Sequence, residues 1–263
     1  MQVISIGSSS SGNSYIIKAG GEVMVLDAGL SCIKITRALE ELGLGPEDVS
    51  ATLITHEHGD HVKSVRALAK KCPDAFVYAS RGTVESCEVF ESIEDERIII
   101  LQAGEEASES DVTIRAFALS HDATEPIGYS VIADGEKLSI VTDTGIVTDE
   151  IYEEISDASM LVLEANHDEH LLMYGEYPYH LKQRIKSDEG HLSNRAAGEL
   201  LAELLEKRQS PLPVMLAHLS FHNNAPFRAR ASIEEILDEA GFARDEHYSL
   251  TIAAKDEMTF FGE

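Results

Sequence analysis

Cysteine, long apolar runs and targeting signals are all scarce in this 263-residue chain. The three cysteines, Cys32, Cys72 and Cys87, form no CxxC pattern, so neither a disulfide framework nor a cysteine zinc site is expected. No apolar run approaches the roughly 18 residues of a membrane helix. The start, MQVISIGSSSSGNSY, lacks the basic and apolar regions of a signal peptide. These absences predict a protein of the reducing cytoplasm with no membrane association.

Positive charge is also scarce, because 21 lysines and arginines face 47 acidic residues and the formal net charge is −26. Excess carboxylate disfavours non-specific contact with polyanions, which taken alone lowers the expectation of nucleic-acid binding. The acids between Glu88 and Asp111 predict a solvated face. Basic residues are concentrated elsewhere, in "YHLKQRIKSDEGHLSNR" and "APFRARA". They are Lys182, Arg184, Lys186, Arg195, Arg228 and Arg230. An acidic protein can therefore still present a positive rim at a site.

Short apolar segments typical of strands dominate the first two thirds of the chain. They are QVISI, NSYIIKA, EVMVLDA, ATLIT, FVYAS, RIIIL, VTIRAFALS, IGYSVIA, LSIVTD and MLVLEA, with PVMLAH later. Helical periodicity is found in "CIKITRALEELG", in "VKSVRALAKKC" and at 81–91, 193–207 and 226–240. No repeat or Pro/Gly linker divides the chain. The pattern predicts one domain over residues 1–263, with two packed sheets and helices outside them.

The stretch "LITHEHGDHV", residues 53–62, contains three histidines and an aspartate within six positions. In extended chain, His56 and His58 project to one side. A glycine then allows a turn, and Asp60 and His61 begin a helix, where the helix dipole favours a carboxylate. Imidazole and carboxylate are the usual ligands of zinc and related divalent ions. The stretch therefore predicts a metal site.

The cluster is expected to serve two ions, because its first two histidines point differently from its last two ligands. Two ions require further ligands from later in the chain. His121 in "FALSHD", Asp143 in "SIVTDTG" and His218 in "VMLAHLS" each close an apolar strand. A rigid sheet would deliver such side chains to a shared edge, and Asp143 is placed to bridge two metals. A capping or satisfied polar role is the alternative for each of them.

The order HxHxDH, then His, Asp and His, resembles that of the metallo-β-lactamase superfamily from about residue 2 to the C-terminus. "SIGSSSSGNSYII", "EANHD", "GHLSN" and "LAHLSFHNN" are similar to the YycJ (WalJ) group, described as cytoplasmic metallo-hydrolases with exonuclease activity on DNA. The resemblance implies an α/β fold, a four-layer αβ/βα sandwich of two mixed sheets flanked by helices, with a dinuclear site at one edge. It implies His56, His58 and His121 on one metal, Asp60, His61 and His218 on the other, and Asp143 between them.

The same resemblance gives His191 a role at the scissile phosphate or the leaving group, with Glu164 orienting it. From the residues alone, Gly190 and His191 stand just before the helix at 193–207, where exposed amides favour a phosphate. The alternative is that His191 and Ser193 only cap that helix. The remaining histidines are expected to be surface or structural residues, although His222 and Asn223 follow His218 closely enough to touch substrate.

The predicted reaction is hydrolysis of a phosphodiester by a hydroxide that bridges two divalent ions, zinc first, with manganese or iron as alternatives. Asp60 would help to hold the water, and His191 would protonate the leaving oxygen. The expected partner is nucleic acid or another phosphodiester, with no obligate protein partner. Hydrolysis of a small ester, thioester or cyclic phosphodiester is the alternative. A scaffold without catalysis is disfavoured because all seven ligand positions are filled, and Ser8 to Ser11 do not form a GxSxG motif.

Overall fold

The computed structural model describes residues 1–262, which form fourteen strands and nine α-helices. The strands are β1 (Gln2–Gly7), β2 (Ser14–Ala19), β3 (Glu22–Leu26), β4 (Val49–Leu53), β5 (Phe76–Ala79), β6 (Ile98–Ile100), β7 (Glu106–Glu109), β8 (Val112–Ala118), β9 (Ile127–Ala133), β10 (Glu136–Val141), β11 (Met160–Glu164), β12 (Leu212–Ala217), β13 (Tyr248–Ile252) and β14 (Thr259–Gly262). The α-helices are α1 (Cys32–Glu41), α2 (Gly59–Val62), α3 (Val65–Lys71), α4 (Arg81–Ser86), α5 (Asp149–Ile155), α6 (Glu169–Tyr174), α7 (Tyr179–Ile185), α8 (Asn194–Glu206) and α9 (Pro226–Glu239).

The strands form two mixed seven-stranded sheets. The strand order is β14-β1-β2-β3-β4-β5-β6 in one sheet and β13-β12-β11-β10-β9-β8-β7 in the other. Strands β3 to β6 run parallel in the first sheet, and β10 to β13 run parallel in the second. Each sheet therefore contains neighbouring parallel strands whose carboxyl ends lie at one edge. Such edges are where open α/β sheets hold functional side chains.

The chain divides into two compact units. The first unit contains Met1–Ala118, Ala123–Lys137 and the described residues from Ala254 on. The second unit contains Leu119–Asp122 and Leu138–Ala253. The single domain predicted over residues 1–263 stays a prediction, and its last residue lies outside the described residues.

The core of the first unit fixes the strand ends that carry functional side chains. Ile35 and Leu39, one turn apart on α1, are fully buried with Val65 and Leu68 of the α3 region against the apolar side chains of the parallel strands. Burying each such side chain stabilises the fold by about 1.5–3 kcal/mol. Ser31 is the N-cap residue of helix α1, and its side chain accepts a hydrogen bond from the Lys34 backbone nitrogen.

The two long helices predicted near the C-terminus are confirmed as α8 and α9, and Ser193 caps α8 by accepting from the Ala196 nitrogen at 3.1 Å. The helix predicted over 81–91 is wrong, because α4 ends at Ser86 and a separate 3-10 turn follows at Phe90–Ser92. The chain leaves the helix there because Phe90 turns into the core, where it is 2% exposed. In the part of the chain described, no helix combines the length and the apolar character needed to cross a bilayer.

Candidate metal centre and active site

Four of the predicted ligands lie together in the first unit, directly after the carboxyl end of β4. His58 is the N-cap residue of α2, and Asp60 and His61 lie within that single turn, as predicted. The ring of His56 lies 4.7 Å from the ring of His58 and 4.1 Å from the ring of His61, measured between centroids. His56 and His61 are fully buried, whereas His58 and Asp60 are partly exposed. The local chain alone thus assembles a compact set of nitrogen and oxygen donors.

Asp27, which immediately follows β3, holds this cluster from the neighbouring parallel strand. Its Oδ2 atom accepts from Nδ1 of His61 at 2.7 Å, and both side chains are fully buried. The Thr55 hydroxyl donates to Asp27 at 3.0 Å, so its lone pair can accept from Nδ1 of His56 at 2.9 Å. Both rings therefore carry their proton on Nδ1, which makes Nε2 the lone-pair nitrogen that a metal binds. The sequence interpretation did not include Asp27.

The serine loop that follows β1 packs against the same cluster through Asn13. Oδ1 of Asn13 accepts from the Ser8 hydroxyl at 3.1 Å and from the Ser9 nitrogen at 3.0 Å. The Asn13 backbone nitrogen donates to the Asp60 carbonyl at 2.9 Å. A Cβ atom on Gly29 would lie 1.5 Å from that same carbonyl oxygen, so only glycine permits this close approach. The loop is thus held in a defined conformation beside Asp60.

The other five predicted site residues lie in the second unit. Asp143, Glu164 and His218 stand at or just after the carboxyl ends of β10, β11 and β12, which are adjacent and parallel. His191 comes from the loop before α8, and His121 comes from the segment after β8. Asp143, Glu164, His191 and His218 each offer a ligand-type atom within 4.8 Å of the others. The sheet thus collects side chains that are distant in sequence.

Glu164 is the centre of this second cluster. Its Oε1 atom lies 2.8 Å from Nδ1 of His191 and 2.8 Å from Nδ1 of His218, and its Oε2 atom accepts from the Leu192 and Thr144 nitrogens at 3.1 and 3.2 Å. Burial raises the pKa of Glu164, but attraction to His191 and the hydrogen bonds from both rings outweigh it and lower that pKa. An ionised carboxylate only accepts, so both histidines donate through Nδ1 and present Nε2 elsewhere.

The surroundings of His121 favour its neutral imidazole form. Its Nδ1 atom donates to the Gly190 carbonyl at 3.1 Å, and burial lowers its pKa against the weaker opposing effect of Asp143. The Nε2 atom lies 3.8 Å from Oδ1 of Asp143 and 3.5 Å from Oδ1 of Asp122. Arg184 holds Asp122 in turn, at 3.0 Å. Neutral imidazole with Nδ1 occupied is the form that ligates metals.

Three side chains of these two clusters sit on left-handed backbone. Asp27, Asp143 and His218 have φ values of 55°, 61° and 54°. This region costs an L-residue on the order of 1–3 kcal/mol and is retained mainly where surrounding structure imposes it. In each case the chain leaves a parallel strand at or near this residue, so the unusual φ sets the direction of the side chain. This left-handed conformation cannot be predicted from the spacing of residues in the sequence.

Comparison with known protein families identifies the superfamily of this chain. Residues 23–212 match the model described as "Beta-lactamase superfamily domain". The chain belongs to the beta-lactamase superfamily. Within it, the chain is 36% identical over 247 residues to the exodeoxyribonuclease YycJ of Bacillus anthracis, covering 93% of this chain and 92% of that one. It is 37% identical over 238 residues to the exodeoxyribonuclease WalJ of Streptococcus pneumoniae, with coverage of 89% and 87%.

Solved structures confirm the fold class of this superfamily member. The metallo-beta-lactamase fold protein YhfI from Bacillus subtilis matches with a TM-score of 0.72 over 98% of both chains, at 15% identity. The two mixed seven-stranded sheets flanked by helices are the arrangement that the sequence resemblance implied.

The remaining histidines differ in their surroundings. His170, His180 and His222 are exposed and His247 is partly exposed, consistent with the surface roles predicted for them. His167 is 2% exposed, and burial lowers its pKa to about 4. It is a neutral interior residue next to the segment that carries Glu164, and its backbone carbonyl accepts from the Asn194 nitrogen at 2.9 Å. A structural role for His167 fits these contacts.

Proposed function

We propose that this protein is a dinuclear metal-dependent phosphodiesterase that degrades nucleic acid as a DNA exonuclease. One observation carries the proposal: a single carboxylate oxygen of Glu164 lies 2.8 Å from Nδ1 of both His191 and His218. The predicted general acid and a predicted metal ligand are thereby held together, as a phosphoryl-transfer site requires. The relatives named as exodeoxyribonucleases support DNA as the substrate.

The proposed ligands are those that the sequence resemblance implies, grouped by metal. They are His56, His58 and His121 for the first ion, Asp60, His61 and His218 for the second, and Asp143 as the bridge. The donor set fits a divalent metal, because it combines imidazole nitrogen with carboxylate oxygen and its buried rings are held through Nδ1. Zinc suits this nitrogen-rich set best, and manganese or iron are the alternatives.

Two divalent ions at these ligands would supply a nucleophile, by lowering the pKa of a bound water toward about 7. We assign Asp60, the partly exposed carboxylate of its cluster, to help hold or deprotonate that water. The aspartates Asp60 and Asp143 offset only part of the positive charge of such ions. The site would therefore attract a phosphate even in a chain with a net charge of −26.

His191 performs the second half of the reaction. Its Nδ1 atom donates to Glu164, and its side chain is 16% exposed, which gives Nε2 access to a bound phosphodiester. We assign it to protonate the departing oxygen, a task worth about 10²- to 10⁴-fold in rate. Glu164 is a positioning residue, because it fixes the ring and balances the charge of the protonated imidazole.

The experiment is a hydrolysis screen on metal-reconstituted protein. We expect cleavage of bis-p-nitrophenyl phosphate and release of nucleotides from DNA, tested with 5′-phosphate and 5′-hydroxyl ends. Glu164→Gln should lower both activities, whereas Glu153→Gln, which alters an exposed carboxylate on α5, should lower neither. Hydrolysis of nitrocefin or of a thioester, with every phosphodiester left intact, would favour the small-molecule alternative and contradict the proposal.

The expected location belongs to the same proposal. We place the enzyme in the cytoplasm, where DNA is available in bacteria and where the three free cysteines would stay reduced. No protein partner is required by the proposed reaction.

A further inference from the structure

Exposed aromatic side chains are concentrated in two segments of the second unit, residues 173–187 and 218–231. Among the described residues, the most exposed phenylalanine and tyrosine side chains all lie there. They are Tyr174 at 80%, Tyr179 at 73%, Phe221 at 69% and Phe227 at 68%. Each ring leaves apolar area in water that a fold normally buries. Exposed apolar area of this kind is a feature of binding surfaces where it is contiguous, so contacts between the two segments decide its meaning.

Three rings form a continuous row between the two segments. The centroid of Phe221 lies 5.2 Å from that of His222, and the centroid of His222 lies 5.5 Å from that of Tyr177. We call Phe221, His222 and Tyr177 the aromatic row. Its first residue follows the proposed metal ligand His218 by three positions in the sequence.

The segments that carry the row are fixed in place by polar contacts. Lys182 donates through Nζ to the Met173 carbonyl at 3.0 Å and to the Gly175 carbonyl at 2.7 Å. The Asn223 carbonyl accepts from the Asp168 nitrogen at 2.8 Å. The row is thus a preorganised surface, and a ligand would not have to order it at a cost in entropy.

The charge of the two segments is opposite to that of the whole chain. They contain Lys182, Arg184, Lys186, Arg228 and Arg230 but a single acid, Glu176, in a chain that has 47 acidic residues and 21 lysines and arginines. Acids from outside the segments pair with the three arginines, Asp122 with Arg184, Asp168 with Arg228 and Glu234 with Arg230. The Arg228 guanidinium also lies over the Phe227 ring, 5.6 Å from its centroid. The remaining positive charge comes from Lys182, which is held by uncharged backbone carbonyls, and from Lys186. The two segments thus carry exposed π faces together with these lysines, a combination that complements an unpaired nucleic-acid strand.

We propose that the aromatic row stacks unpaired bases of a single-stranded DNA end, while the neighbouring cations contact its phosphates. This inference rests on the proposed function, and it deepens it by assigning where the bases bind. Every base has a π face, so stacking holds a strand without reading its sequence. Phe221 acts as a substrate-binding residue, and the row directs the strand toward His218.

The test measures binding separately from cleavage. The probe is a fluorescein-labelled phosphorothioate oligothymidylate, which carries the charges of DNA but resists hydrolysis, titrated with metal-loaded protein by fluorescence anisotropy. An abasic phosphorothioate oligomer of equal length is the second probe. Phe221→Ala should raise the Kd for oligothymidylate by about 5- to 150-fold and leave the Kd for the abasic oligomer unchanged. Lys186→Gln should weaken the binding of both probes to the same extent and reduce the salt dependence of binding.

Phe260→Ala is the matched control, because Phe260 is a half-exposed phenylalanine of the first unit, and it should leave both Kd values unchanged. Equal affinity of the unaltered protein for the two oligomers would overturn the proposal. A change of less than twofold for Phe221→Ala, in a protein that does cleave DNA, would overturn the aromatic row alone. If the protein bound DNA in a base-dependent way but cleaved no phosphodiester, that result would instead contradict the proposed function. If Phe221→Ala lost binding to phosphatidylglycerol vesicles but kept binding to oligothymidylate, the assignment of the aromatic row to DNA would also be overturned.

Discussion

Each of the two units carries predicted site residues, and the two units draw them from very different stretches of sequence. In the first unit, four donors stand within positions 56–61, whereas in the second unit they are scattered between residues 121 and 218. The local construction is nevertheless the same in both. A carboxylate at the end of a parallel strand, Asp27 or Glu164, holds Nδ1 of a buried histidine. The comparison shows that a carboxylate from a parallel strand end orients a histidine in both units, whether the donors are close in sequence or far apart.

The two carboxylates differ in what they hold. Asp27 contacts His61 directly and reaches His56 through the Thr55 hydroxyl, so all its effects pass through predicted ligands. Glu164 contacts His218, a predicted ligand, and His191, the predicted general acid. Changes in the first unit should therefore act on metal binding, and changes in the second should act on metal binding and on turnover.

The largest effect is expected at Asp143, the proposed bridge. Asp143→Asn should remove bound metal and abolish most activity, because under the proposal both ions depend on that carboxylate and amide oxygen is a weaker ligand. Metal content per chain after gel filtration, with the hydrolysis rate, gives the measurement. Asp149→Asn changes an exposed aspartate on α5 and should keep both. Full metal loading of Asp143→Asn would show that the second unit contributes no bridge.

A smaller effect, on turnover alone, is expected at His191. His191→Ala should keep the metals and lower kcat by about 10²- to 10⁴-fold, because the leaving oxygen is no longer protonated. Metal analysis and steady-state rates separate the two quantities. If this variant lost its metals, His191 would be a ligand and the division of roles within the second unit would be wrong.

The contrast between the units is tested by a matched pair, Asp27→Asn and Glu164→Gln. Each should weaken metal binding by about 10- to 100-fold, the usual effect of removing a carboxylate that holds a ligand. With metal in excess, Asp27→Asn should regain its activity, whereas Glu164→Gln should stay slow because a neutral amide no longer balances the charge of protonated His191. Titration with zinc, followed by rates at saturation, provides the readout. Equal recovery of both variants would contradict the difference drawn between the two carboxylates.

The smallest effect concerns the stability of the second unit. Because the pKa of His167 is lowered from 6.5 to about 4 by burial, only the unfolded chain binds this proton between those values. The free energy of unfolding should therefore fall as pH drops from 6.5 to about 4, by up to about 1.4 kcal/mol per pH unit.

Urea unfolding in EDTA across this pH range measures that slope. His167→Gln should flatten it, and His180→Gln, at an exposed position, should leave it as in the unaltered protein. An unchanged slope in His167→Gln would mean that this histidine is not held neutral by burial.

Much of the fold could be predicted from the sequence, and the reason is periodicity. Helices α8 and α9 are long enough to show repeated apolar positions, and the buried strands of both sheets read as short apolar runs. Strands β7, β13 and β14 and helices α5 to α7 were not predicted. They span four to seven residues, which is too short to establish a period.

The residues of the candidate site likewise fall into those that could be predicted from the sequence and those that could not. His56, His58, Asp60 and His61 are neighbours in sequence, so their chemistry is visible without a structure. Asp27 was missed because "LDAG" shows no metal-type pattern. Its role depends on β3 lying parallel to β4 and on a left-handed backbone at φ 55°. The double contact of Glu164 depends likewise on β11 lying beside β12, and pairing of this kind is not encoded in local spacing.

The central claim is that the predicted ligands bind a pair of divalent cations, and anomalous diffraction from zinc-soaked crystals tests it most directly. The account predicts two anomalous peaks per chain, one at His56 and His58 and the other at His218, with Asp143 among the ligands. Density at only one of the clusters, or zinc bound without Asp143, would contradict it.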